Sequence, residues 1–163
     1  MTPDMELALT AQAENIVVVR YALGGLGEAF AVPESKLSDI RLAVTEACAN
    51  VVVHAYPDGH CGPMEVIASK HENTLTVLVR DWGRGIGPRP DSPGLGLGLA
   101  LIAALADSVQ LAHGDIEHTE VRMTFSLADS QTSIPTLPGT PLRAHPEGHT
   151  QRAHGKRASG HEA

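Results

Sequence analysis

The chain has 163 residues, 12 Lys plus Arg against 19 Asp plus Glu, and a formal net charge of -7. That length supports one domain with a substantial core, and an acid excess without a basic stripe argues against direct grip on nucleic acid. Two cysteines outside any CxxC pair, an N-terminus (MTPDMELAL) without a basic segment leading into an apolar one, and no apolar run of membrane-spanning length predict a cytoplasmic protein with no membrane partner.

In chain order, Met5–Thr10 alternates weakly and is read as a first strand, and Ala13–Phe30 as a helix that its Gly24-Gly25 pair weakens or kinks. Pro33 opens a second helix with acid near its N-terminus. From Leu37 to Ala55 the apolar residues Leu37, Ile40, Val44, Ala47 or Cys48, and Val51 form one helical stripe, which the turn segment YPDGHCGP ends. Met64–Lys70 and Leu75–Arg80 alternate as two strands, joined at Glu72-Asn73 by a hairpin turn that lacks the usual glycine. Leu97–Ala106 reads as a helix, and Asp107–Ala112 and Thr119–Leu127 as two more strands. Strands joined mainly by hairpins, with helices grouped early, predict an α/β two-layer arrangement: a mostly antiparallel sheet with helices on one face.

The domain is expected to span residues 1–128. Residues 129–163, rich in Pro, Gly and His with little to bury, are expected to be a disordered tail, and their irregular histidine spacing favours that over a metal site.

The chain is organised around DWGRGIGPRPDSPGLGLGLALI, residues 81–102. An ordered chain carries so many glycines only where left-handed dihedrals or close approach to a ligand need them. Leu95, Leu97 and Leu99 between the glycines argue against a solvent linker, and the free amides opening the helix at Leu97 would make an anion site suited to phosphate. The glycines lie in mid-chain rather than after a first strand, and no Gly-Lys-Ser/Thr occurs, which excludes the dinucleotide fingerprint and the P-loop.

Glu46 and Asn50, four apart on one helix, share a face distinct from the apolar stripe. Asn50 either bonds a neighbouring loop backbone or offers its oxygen to a divalent cation; Glu46 is either a solvated helix position or a base for a hydroxyl or water. Asp81, where a strand enters the Gly-rich turn, either caps the turn amides or accepts from an exocyclic amine such as that of adenine. Trp82 either stacks on a ligand or shields the turn.

Glu46-Ala47-Cys48-Ala49-Asn50 within LAVTEACANVVVHAY, Asp81-Trp82-Gly83-Arg84-Gly85-Ile86-Gly87, and Gly94-Leu95-Gly96-Leu97-Gly98-Leu99 together resemble the three nucleotide-binding boxes of the GHKL superfamily of histidine kinases, gyrase B and Hsp90 ATPases. The similarity covers roughly residues 5–127 and is strongest to the small bacterial branch of anti-sigma factor serine kinases, the RsbW and SpoIIAB type. It implies the Bergerat-type sandwich of mixed, mostly antiparallel sheet with helices on one side. It also implies ATP and Mg²⁺ as cofactors, with Asn50 as the metal ligand, Glu46 as general base and Asp81 on the adenine amino group. Gly83, Gly85 and Gly87 would shape the adenine pocket; Gly94, Gly96, Gly98 and Leu99 would wrap the phosphates. The implied activity is transfer of the γ-phosphoryl of ATP to a serine of a STAS-type anti-anti-sigma protein, with sequestration of a sigma factor and a homodimer as further features of the type.

Only six residues, Pro88 to Pro93, separate the two glycine boxes, and no Lys or Arg lies between Pro90 and Glu120. Phosphate charge is left to backbone amides, the metal, and Arg84 or Arg89. That departure keeps a second class open, a partner-binding module of the same fold with little or no phosphoryl transfer.

Overall fold

Which face of a strand is apolar decides where it packs, and here the alternation is consistent across neighbouring strands. The computed structural model describes residues 2–57, 60–84, 95–113 and 118–128, all within one compact unit, Met1–Ser130. Its elements are β1 (Met5–Thr10), α1 (Ala13–Ala29), α2 (Glu34–Asn50), a π-helical turn (Val51–Ala55), β2 (Pro63–His71), β3 (Thr74–Asp81), α3 (Leu95–Leu105), β4 (Ser108–His113) and β5 (Thr119–Ser126). The expected tail, 129–163, lies outside the described residues.

The strands form one five-stranded sheet in the order β1-β2-β3-β5-β4, every pair antiparallel. Met64, Val66 and Ala68 of β2, Leu75, Val77 and Val79 of β3, and Val121, Met123 and Phe125 of β5 form one buried cluster. Val19 and Leu23 of α1, Ile40, Val44 and Cys48 of α2, and Ile102 of α3 belong to the same cluster, so the helices cover one face of the sheet. Burial without a charged neighbour pushes the Cys48 thiol up to about 12, which makes it an inert packing residue.

α1 runs unbroken through Gly24-Gly25. The reason is tertiary: Val19 and Leu23 of this helix are buried in the common core, while a Cβ on Gly24 would meet only the tip of the Arg41 side chain of α2. α1 then ends in a left-handed residue, Ala31 (φ 51), with Val32 N–H bonded back to Gly27 O at 2.9 Å and Ala31 N–H to Glu28 O at 3.1 Å. In the β2–β3 hairpin, Glu72 itself takes the left-handed conformation (φ 52) that glycine would supply without strain.

The other face of the sheet carries a charge ladder. Glu65, Arg80 and Glu120 are direct cross-strand partners. Arg80 bridges Glu65 at 3.2 Å and Glu120 at 3.0 Å, and Arg122 reaches Glu120 at 2.9 Å. Burial alone would raise the Glu120 carboxyl, but the hydrogen bonds from Arg122 and Arg80 outweigh it and hold the group below its ordinary range. A carboxyl lowered in the folded state contributes stability above its unfolded value and loses that contribution as pH falls through the folded one. Glu120→Gln is therefore expected to cost about 1 kcal/mol at pH 7, discounted for the half-exposed Arg122. In urea titrations the gap to wild type should close as pH falls below the ordinary carboxylate range; an undiminished gap at pH 3 would show that the ladder does not act through ionised Glu120.

Candidate nucleotide site

Glu46 and Asn50 stand one turn apart near the C-terminal end of α2, both partly buried. They point at α3. A Cβ built on Gly98 would run into Glu46 Oε1 and come within 3.2 Å of Asn50 Nδ2. The Glu-Asn motif and the second glycine run, separate in sequence, are thus in contact. A side chain at Gly98 would require the Glu46 carboxylate to move aside.

Gly96 and Gly98 lie in the first turns of α3, which begins at Leu95 rather than at Leu97 as the sequence suggested. The opening amides of this helix have no intrahelical acceptor and carry the positive end of its dipole. Leu99 packs its side chain against the core, leaving its backbone as the part able to meet a ligand. Gly85, Gly87, Gly94 and Arg89 lie outside the described residues.

At the other end of the site, Asp81 closes β3 and is 3% exposed. Its Oδ1 accepts the Gly83 N–H at 2.9 Å, so one carboxylate oxygen caps the turn. The turn is pressed onto the π-helical segment: a Cβ on Gly83 would overlap the Ala55 carbonyl, and the same carbonyl accepts Arg84 N–H at 2.8 Å. Trp82 is 37% exposed and lines a groove with Ala8, Thr10, Cys61 and Glu65, toward β1 and β2.

Sequence reasoning missed Thr119. It is the direct cross-strand partner of Asp81, is 2% exposed, and its Oγ1 has no hydrogen-bond partner among the described residues. A buried hydroxyl without a partner is costly, and one beside a buried carboxylate marks a place where a polar ligand edge fits. Only the β3–β5 register brings Thr119 to Asp81, and nothing local to residue 119 announces it.

The arrangement has two ends. Asp81 and Thr119 offer a buried acceptor and a hydroxyl at the sheet, while Asn50, Glu46 and the α3 amides offer oxygen ligands, a base and anion-binding donors at the helices. Oxygen donors suit a hard divalent cation, and the amides suit phosphate.

The profile of the histidine kinase-like ATPase domain matches residues 9–125. The serine-protein kinase RsbW of Bacillus thuringiensis (strain Al Hakam) is 30% identical over 126 residues, covering 68% of this chain and 78% of that protein. RsbW of Bacillus cereus (strain AH820) is 29% identical over the same length and coverage. Among solved structures, the RsbU and RsbW domains of Rv1364c from Mycobacterium tuberculosis match with a TM-score of 0.61 at 24% identity, over 77% of this chain and 32% of that one. This chain therefore spans about a third of that solved protein, 32%. The histidine kinase domain of the Erythrobacter litoralis EL346 blue-light activated kinase matches with a TM-score of 0.52 at 24% identity, over 71% of this chain and 60% of that one. Both solved structures share the fold: an open antiparallel sheet carrying helices. With its glycine runs, its Glu46–Asn50 pair and these matches, the chain belongs to the histidine kinase-like ATPase family, in the branch of the RsbW serine-protein kinases.

Proposed function

We propose that this protein binds ATP with Mg²⁺ and transfers its γ-phosphoryl group to a serine of a STAS-type anti-anti-sigma protein, acting in the cytoplasm as an anti-sigma regulator that sequesters a sigma factor. The observation that supports the reading is the contact of Glu46 and Asn50 with Gly98, which brings a carboxylate and a carboxamide to the opening turns of α3.

In this reading Asp81 accepts a hydrogen bond from the adenine amino group, and the Thr119 hydroxyl finds its partner on the same base edge. The α3 amides and the Asn50 side-chain oxygen orient the phosphate end, Asn50 through Mg²⁺, which supplies neutralisation of phosphate charge when bound. Glu46 takes the proton of the partner's serine hydroxyl as that oxygen bonds to the γ-phosphorus, and the bond to the bridging oxygen breaks to release ADP. The dimer and the sigma factor belong to the same proposal and rest on kinship with RsbW. The second reading, a partner-binding module with little transfer, draws on the six-residue span between the glycine runs and the absence of Lys or Arg between Pro90 and Glu120.

Calorimetry with ATP decides between nucleotide site and none. Asn50→Ala is expected to weaken ATP binding at least tenfold with Mg²⁺ present, about 1.4 kcal/mol, and far less without it. Glu46→Gln should retain ATP and lose phosphoserine formation on a STAS-domain partner by about 10²–10⁴-fold. Retained ATP binding with no phosphoserine from the unmodified protein would favour the binding module, and no heat at millimolar ATP would end both nucleotide roles.

Gly98→Ala places a methyl group where Glu46 and Asn50 now lie, and is expected to reduce both Mg²⁺-dependent ATP binding and transfer while the fold melts cooperatively. Full activity in that variant would show that the two side chains need not rest against α3. Thr119→Val, which keeps the shape and removes the hydroxyl, should weaken ATP about 3- to 30-fold, from the lost hydrogen bond; unchanged affinity would place the base edge elsewhere.

A further inference from the structure

Tyr56 follows the π-helical turn and is distant in sequence from both glycine runs, yet its hydroxyl stands at the end of the β2–β3 ladder. The carbonyls of Gly62, just before β2, and of Ala68 in β2 accept from amides on the β1 side, Ala11 N–H at 2.8 Å and Asp4 N–H at 2.9 Å. The backbone groups of Pro63, between them in phase, therefore face β3. Continuing the Met64 and Asp81 register by one residue sets Pro63 opposite Trp82. At that rung the phenol oxygen intervenes: it accepts Trp82 N–H at 3.1 Å and donates to Pro63 O at 2.5 Å. Proline has no N–H for the return bond, so this is where the ladder can accept an inserted group.

The ring is held from below, since a Cβ on Gly62 would overlap it. Burial raises the Tyr56 pKa, the Trp82 amide opposes that, and the Asp81 charge adds to it, so the hydroxyl keeps the proton it donates to Pro63. Immediately before Trp82 stands Asp81, and immediately after it Gly83, whose amide Asp81 caps. The Tyr56 hydroxyl and the Ala55 carbonyl, from adjacent residues, thus anchor Trp82 and Arg84, the two backbone amides flanking Gly83.

We propose that Tyr56 is a positioning residue for the nucleobase end of the site: its hydroxyl is an inserted rung that spreads β2 from β3 just past Asp81 and fixes the Asp81–Gly83 turn for a purine. The proposal rests on the nucleotide reading of Asp81 and adds a residue that touches neither base nor phosphate.

The test compares the full chain with its Tyr56→Phe variant, which keeps the ring and removes the bridging oxygen. Amide exchange at Trp82 is expected to accelerate at least tenfold, and emission of Trp82, the single tryptophan, to shift. ATP affinity should fall about tenfold both with and without Mg²⁺, so the factor by which Mg²⁺ strengthens binding stays that of wild type. That unchanged factor separates a base-end role from general loosening. Wild-type ATP affinity in Tyr56→Phe overturns the proposal alone, as does a loss confined to the Mg²⁺-dependent part. Failure of the unmodified protein to bind ATP would overturn the nucleotide reading and this one with it.

Discussion

Where α3 meets α2, the Glu46 carboxylate lies where a side chain on Gly98 would stand, with the Asn50 carboxamide beside it. That contact brings a carboxylate and a carboxamide against the opening turns of α3. Glycine in a helix costs about 1 kcal/mol relative to alanine, and α3 carries two in its first turns. That cost is offset by Ile102, fully buried in the common core, and by Leu99 and Leu105 packed against it. The helix is anchored by its later turns, which leaves its first turns free to serve chemistry.

The two ends of the site are joined by the π-helical turn. α2 runs to Asn50, the ladder widens over Val51–Ala55, and the chain leaves as Tyr56. A change of helical pitch rotates the last residues about the axis relative to an unbroken α-helix. In the observed phase the Ala55 carbonyl meets the Arg84 amide and the Tyr56 hydroxyl meets the Trp82 amide. One continuous stretch of helix thus carries Glu46 and Asn50 beside α3 and braces the Asp81 turn, the two ends of the proposed nucleotide site.

Local signals were enough for much of this. The stripe through Leu37, Ile40, Val44 and Val51 identified α2 and its buried face, and alternation in residues 64–70 and 75–80 identified a hairpin whose sides are the ones observed. Glu46 and Asn50 were legible as a pair because helical spacing alone puts them on one face. What they face was not, since it depends on α3. The unbroken α1 reflects the same limit: Gly24-Gly25 lowers local propensity, and the core that buries Val19 and Leu23 and holds the helix is built by other elements. The left-handed Glu72 shows register overriding preference, because the His71 and Thr74 pairing leaves two residues to turn the chain whatever their type. Thr119 required the pairing of β3 with β5, across the whole α3 and β4 excursion. Single-residue readings find chemistry displayed along one element; they do not find chemistry made by two.

Charge is the remaining constraint on the proposed reaction. In the proposed site Glu46 and Asp81 would bring acid to both ends of a pocket that takes a polyanion, in a chain already at -7. Between Pro90 and Glu120 there is no Lys or Arg to offset it. Like charges repel strongly in a partly buried site, so a phosphate bound beside Glu46 would need compensation from another source. A helix N-terminus contributes roughly half a positive charge, too little alone for a triphosphate, whereas a divalent cation held by Asn50 changes the balance decisively. The neutrality of Asn50 matters in that setting: an acidic ligand would hold the cation more tightly but add to the repulsion that the nucleotide must overcome. A carboxamide would let the phosphates supply the charge that binds the metal, and metal and nucleotide binding would then be mutually dependent.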